Sequence, residues 1–236
     1  MTVSVGFYRK IHEWIIDELS NEIKFRPFQV NGNPYKSKVF LVGLHPEPLA
    51  YFGHEDAKIY ADSLVDARRF EQLNGTELIT ASREYKGCLN FARWMEEHMA
   101  EKVVLSYVNC LLADDYKLFK QLKKENHFLY ISGQKLFEEV VLEFGPELMI
   151  IEGTKAFDEF RTVYSERLIN KHDQFDSASV QELEKLGVVA EFPYGERNIK
   201  ILACRNMSYF GRQGTSFGEL KEEIQQILKE SKGNES

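Results

Sequence analysis

Three junctions in the chain place groups able to do chemistry directly after apolar runs. Gly43-Leu44-His45-Pro46-Glu47-Pro48 follows Val39-Phe40-Leu41-Val42 and sets an imidazole beside a carboxylate. A neutral imidazole can take a proton from water near pH 7, and a carboxylate can act as a base in its place. Asn109 closes the run Val103 to Val108 and offers both a donor and an acceptor to a planar polar ligand. Arg205-Asn206-Met207-Ser208-Tyr209-Phe210-Gly211-Arg212 follows the run that ends at Cys204. Its two guanidiniums and intervening aromatics suit phosphates and unstacked bases. A bland reading stands beside each: asparagine often caps a strand end, and exposed arginines are common.

A metal is the competing chemistry at the first junction. His45, Glu47, His54, Glu55 and Asp56 lie close in sequence, and imidazole with carboxylate suits Zn or Mn. The cluster lacks the i, i+4 histidine pair of a helical zinc motif, so no metal is expected. Cys88, Cys110 and Cys204 are odd in number and far apart, which fits neither a disulfide framework nor a C-x-x-C site. They are expected to be reduced and buried.

These groups need elements that hold them. Lys38 to Val42, Val103 to Asn109, Leu148 to Ile151 and Asn198 to Cys204 read as four buried strands, because continuous apolar runs mark strands covered on both faces. Helical spacing runs between them. Phe7, Ile11, Trp14, Ile15, Leu19 and Ile23 predict an N-terminal helix over 5–24. Further helices are expected over 55–72, broken at Asn74-Gly75, from Leu89 to Met99, from Ser132 or Gly133 to Phe144, and after Thr154 as N-cap. Ile59, Leu64, Ala67 and Phe70 form the expected inner face of the second. Asn170 to Ser179 reads as an exposed loop, Val188 to Phe192 as an additional edge strand, and Ser216 with Glu219 as a capping box for the last helix. Strands alternating with helices predict a single α/β domain: a three-layer α/β/α sandwich around a mainly parallel four-stranded sheet, with its core over 38–230 and a disordered tail over 232–236.

Composition narrows the partners. Hydrophobic residues make up 43% and charged residues 28%, the balance of a soluble globular protein. A net charge of -7 argues against a generally basic nucleic-acid-binding surface, although a local groove can still be positive. No apolar stretch is long enough to span a bilayer, and no apolar signal core precedes Arg9, Lys10 and His12. A cytoplasmic protein with no membrane partner is expected; oligomeric state is left open. The turn after the first strand carries neither G-x-G-x-x-G nor a P-loop.

The order and content of the junctions resemble the uracil-DNA glycosylase superfamily. Gly43-Leu44-His45-Pro46-Glu47-Pro48 is similar to that family's Gly-x-Asn/Asp-Pro turn, above all to the Gly-Met-Asn-Pro-Gly-Pro form of the single-strand-selective branch. Tyr107-Val108-Asn109 resembles the strand whose terminal asparagine reads the flipped base. Pro146 to Phe157 resembles the family's P-x-x-I-x-x-x-G-x-x-A strand and helix, and Arg205-Asn206-Met207-Ser208 stands where the family has His-Pro-Ser. The resemblance implies a protein that excises or binds a flipped base in single-stranded or damaged DNA. It would give His45, Glu47 and Asn206 the catalytic roles. Asn109, Tyr51, Phe52, Gly43 and Leu44 would hold the base, and Arg205, Ser208, Tyr209 and Arg212 would touch the strand. His45 replaces the family's Asn or Asp, Asn206 its His, and Glu47 a glycine. No cofactor is expected, since three cysteines cannot complete the four-cysteine iron–sulfur site of some branches. A catalytically silent binder of nucleic acid or protein, and a metal-dependent hydrolase built on His45, Glu47, His54 and Asp56, are the alternatives.

Overall fold

The computed structural model describes residues 3–17, 22–47 and 57–233. Helix α1 (Val5–Ile15) buries Phe7, Ile11, Trp14 and Ile15 on one face, as the spacing demands. It ends well short of the predicted Lys24. The chain turns instead into a short antiparallel pair, β1 (Ile16–Asp17) and β2 (Glu22–Ile23), with the Lys24 amide donating to the Ile15 carbonyl at 3.2 Å. Ile15 and Ile23, both buried, satisfy a hairpin as well as a helix, so periodicity alone could not separate the two.

The main sheet holds β3 (Phe28–Gln29), β4 (Val39–Gly43), β5 (Val103–Tyr107), β6 (Leu148–Glu152), β7 (Val188–Tyr194) and β8 (Arg197–Cys204) in the order β3-β5-β4-β6-β8-β7. Strands β5, β4, β6 and β8 run parallel, while β3 and β7 pair antiparallel at the edges. The expected four-stranded sheet is therefore a mixed sheet of six strands. The edge strand read at Val188 is present, but β3, two residues beside Arg26-Pro27, is too short to carry a pattern. Every residue of β4, β5 and β6 is buried, the condition that makes uninterrupted apolar runs favourable. The register pairs Gly43 with Tyr107, Val42 with Ile151, and Glu152 with Cys204. The carboxyl ends of these strands thus share one edge of the sheet.

Helices α2 (Ala57–Leu64), α3 (Ala67–Thr80) and α4 (Arg83–Met99) connect β4 to β5. The single helix predicted over 55–72 is split at Asp66, whose Oδ1 accepts the Arg68 and Arg69 amides at 3.0 and 3.2 Å and starts a new helix. Asn74-Gly75 does not end α3, and Ile59 faces solvent while Leu64 and Phe70 are buried. Helices α5 (Tyr116–Lys124) and α6 (Phe128–Phe144) lead to β6, α6 beginning after His127 as N-cap, a turn earlier than the expected Ser132. After β6 come α7 (Thr154–Tyr164) and α8 (Val180–Leu183), and α9 (Gly218–Gly233) follows β8.

Two cap expectations change. Gly153, not Thr154, is the N-cap of α7. Ser216 lies inside a 3-10 turn, its hydroxyl donating to the Tyr209 carbonyl at 3.2 Å; the capping box observed in the chain is Ser179 with Glu182, at the border of the stretch read as a loop. Lys232 and Gly233 of the predicted tail belong to the last turn of α9. The three cysteines are buried and unbridged. Among the described residues no helix is long and apolar enough to cross a membrane.

Candidate functional site

The carboxyl ends of β4, β5 and β6 border a cleft with two levels. Its inner hollow, about 30 Å³, lies among Gly43, His45, Glu47, Glu84, Tyr107 and Glu152. Its outer groove, about 420 Å³, adds Leu44, Ser82, Tyr116, Lys155 and Asn206. The hollow has room for about one or two waters, whereas the groove falls within the roughly 300–1,000 Å³ of small-molecule sites.

His45 is placed by the turn after Gly43 and stacks on Phe119, ring centroids 4.7 Å apart. Its Nδ1 lies 3.1 Å from the Pro46 carbonyl oxygen. A carbonyl only accepts, so Nδ1 carries the proton and Nε2 is left as an acceptor. Burial lowers the imidazole pKa below its usual 6.5, against the opposing pull of the Pro46 carbonyl, Glu84 and Glu47. The ring is therefore neutral at pH 7 and able to take a proton.

Glu152, the last residue of β6, is 3% exposed. Desolvation, and the Glu84 carboxylate to which it is hydrogen-bonded, push its pKa well above the usual carboxyl value, while the Met207 amide, donating to Oε2 at 3.1 Å, opposes this. Burial beside a second carboxyl thus favours the protonated form of Glu152. Glu84 stands in the first turn of α4 and accepts from Asn206 Nδ2. Asn206 Oδ1 accepts the Ser208 amide at 2.8 Å, so one side chain both caps the Met207–Tyr209 turn and holds Glu84. Glu47 Oε2 accepts the Ser82 amide at 3.3 Å, at the start of the same helix. On the opposite wall the uncapped first turn of α7 borders the groove, and Lys155 Nζ sits 3.9 Å from the centre of the Tyr116 ring. The groove is thus acidic on one side and electropositive on the other.

His45, Glu47, Gly43, Leu44 and Asn206 accordingly meet at one cleft. Asn109 does not join them. It is fully buried, its Nδ2 donates to the Tyr130 carbonyl at 2.9 Å and its Oδ1 accepts the Leu111 amide at 3.1 Å, so its amide fastens the loop after β5 to α6. Arg205 is likewise committed: it pairs with the buried Glu184 at 2.9 Å, donates to the Ser216 carbonyl at 2.6 Å and covers the Phe217 ring. A phosphate would have to displace a buried carboxylate to reach it. Ser208 is half-buried, while Tyr209, 68% exposed, and Arg212 face solvent. Tyr51, Phe52, His54, Glu55 and Asp56 lie outside the described residues. Among the described residues no group of three histidine, cysteine or acidic side chains is arranged to hold a metal ion.

Glu84, Tyr107, Glu152 and Lys155 are among the groups of the cleft that were not singled out from sequence. Glu152 carried a signal, being a charge that ends the apolar run of Leu148 to Ile151, by the same logic that marks His45. Glu84 carried none, because a tertiary approach brings it there. Gly87 makes that approach close: a β-carbon there would overlap the Met207 carbonyl. Comparison with protein-family models finds no match for the chain, and comparison with curated proteins finds none either.

Proposed function

We propose that the protein is a divergent member of the uracil-DNA glycosylase fold group, a three-layer α/β/α sandwich, and that its cleft hydrolyses the N-glycosidic bond of a base displaced from single-stranded or damaged DNA. One observation carries the reading: a neutral imidazole, just past the end of β4, and a buried carboxyl that favours its proton, Glu152 at the end of the adjacent parallel strand β6, border one cleft. Such hydrolysis needs a base to take the proton of the attacking water and an acid or donor for the departing group. His45 Nε2 takes the first role, with Glu47 beside it. The Glu84–Glu152 pair takes the second, and Asn206 keeps Glu84 in place. Tyr209 and Arg212, exposed beyond Asn206, are the residues offered to the strand.

The test is incubation with single- and double-stranded oligonucleotides carrying uracil, hypoxanthine or xanthine, followed by cleavage of abasic sites with alkali. His45→Ala and Glu152→Gln are expected to lose release by at least about a hundredfold. Absence of abasic sites from every substrate would sink the hydrolytic reading. A silent, strand-binding protein is the second reading, favoured by the inner hollow, which is too small for a base as it stands. Binding of a labelled single strand without release of any base would establish it.

A further inference from the structure

A second hollow, about 250 Å³, lies between α3, α4 and the β3–β5 side of the sheet. Among the described residues, Leu105 is the one lining residue that it shares with the cleft. Val30, Val103 and Leu105, all buried, and the half-buried Leu89 and Ala92 give it an apolar floor. Its rim is charged. Lys102 pairs with Glu96, whereas the exposed guanidiniums of Arg68 on α3 and Arg93 on α4 form no ion pair among the described residues. With Glu71 as the other acid, three cations face two carboxylates and leave one net positive charge. Gln29, the last residue of β3, also lines the hollow and is 3% exposed. Its Oε1 accepts the Tyr85 hydroxyl at 2.5 Å, while among the described residues its Nε2 meets no acceptor. A buried amide left without an acceptor is costly, and a ligand oxygen relieves that cost.

We propose that this hollow is a binding site, separate from the cleft, for a small organic monoanion: a carboxylate carried on an apolar ring or short chain. Arg68 and Arg93 reach the carboxylate from two helices, since a guanidinium presents paired N–H donors to carboxylate oxygens and keeps its charge at every physiological pH. Gln29 Nε2 supplies a further donor. The floor covers the apolar body. An apolar cavity of about 150 Å³ already holds one benzene ring, so the hollow has room for a ring and its acid. The rim sets the charge of the ligand, because Glu71 and Glu96 oppose a second negative charge and disfavour a phosphate monoester. The site makes and breaks no bond, and it stands or falls independently of the base-site reading of the cleft.

The experiment titrates the full chain with benzoate in a calorimeter. The comparators are benzamidine, a cation of the same shape, and phenyl phosphate, a dianion near pH 8. Benzoate is expected to bind, with benzamidine and phenyl phosphate each at least about tenfold weaker. Arg68→Gln and Arg93→Gln, unaltered in melting temperature because neither guanidinium holds an ion pair, should each weaken benzoate about tenfold. Lys155→Gln, in the wall of the cleft, should leave benzoate affinity as it is. In 15N-labelled protein, the side-chain amide resonance absent from Gln29→Leu should move with benzoate; the two arginine variants stand by themselves even if Gln29→Leu does not fold. No benzoate binding, equal binding of benzamidine or tighter binding of phenyl phosphate overturns the proposal. So does a loss of affinity in Lys155→Gln with both arginine variants unaffected, which would place the anion in the cleft.

Discussion

At the scale of single residues, the cleft is set by which groups keep their protons. Glu152 holds its proton in the fold and gives it up on unfolding. Stability therefore falls as pH climbs from the ordinary carboxyl value of 4.5 towards the raised value of the folded state. The loss approaches about 1.4 kcal/mol per pH unit where the two states differ by a full proton. Glu152→Gln imitates the protonated form and should flatten the slope, read as urea midpoints between pH 5 and 8. His45 acts in the other direction: its pKa is lowered on folding, so the stability tied to its neutral form is lost as pH falls below 6.5. Arg205 carries a separate expectation. Arg205→Ala leaves Glu184, 4% exposed, without its partner, and should cost about 3 kcal/mol in chemical denaturation. Arg205→Ala with Glu184→Gln should recover much of that loss, since no buried charge is then stranded.

At the scale of elements, the cleft depends on how closely α4 meets the turn after β8. Gly87→Ala pushes a methyl into the Met207 carbonyl and should cost about 1–3 kcal/mol by overpacking. The proposed base release should fall as well, because Asn206 would lose its hold on Glu84. Gly6→Ala, where nothing stands within 4 Å, is the control and should gain up to about 1 kcal/mol. The same contrast separates what could be read from sequence. The buried strands and the placing of His45 and Glu47 followed from local pattern, because a residue's place in an apolar run is set by its neighbours. Asn109 shows the limit: its position at the strand end was right, but which way its amide turned depended on the Tyr130 carbonyl, 21 residues away. Glu84 entered the cleft through contacts distant in sequence, and no local pattern encodes those.

At the scale of the whole molecule, the proposed strand binding would bring a polyanion to a chain of net charge -7 through a small surface. With Arg205 committed to Glu184, few cations remain near the cleft. Single-strand affinity should therefore decline only gently with salt, and Arg212→Ala should reduce the slope of log affinity against log salt by about 0.7. Fluorescence anisotropy across a salt series measures it, and a slope unchanged by that substitution would remove Arg212 from the interface. Tyr209→Ala should weaken binding without altering the slope, since a ring stacks on a base and neutralises no phosphate.

The mixed sheet has a consequence for self-association. A parallel core by itself would leave two long flat borders able to recruit another chain. Here one border, β3, is only two residues long, and the other, β7, has a register shift between Val188 and Ala190, a proline at 193, and a cover in which Ile169 and Glu191 exchange backbone bonds at 2.9 Å. The polar run after Ile169 thus begins at a guard against edge-to-edge fibre growth. Ile169→Pro, which removes the amide given to the Glu191 carbonyl, should make light scattering on mild heating rise at lower temperature and with steeper dependence on concentration.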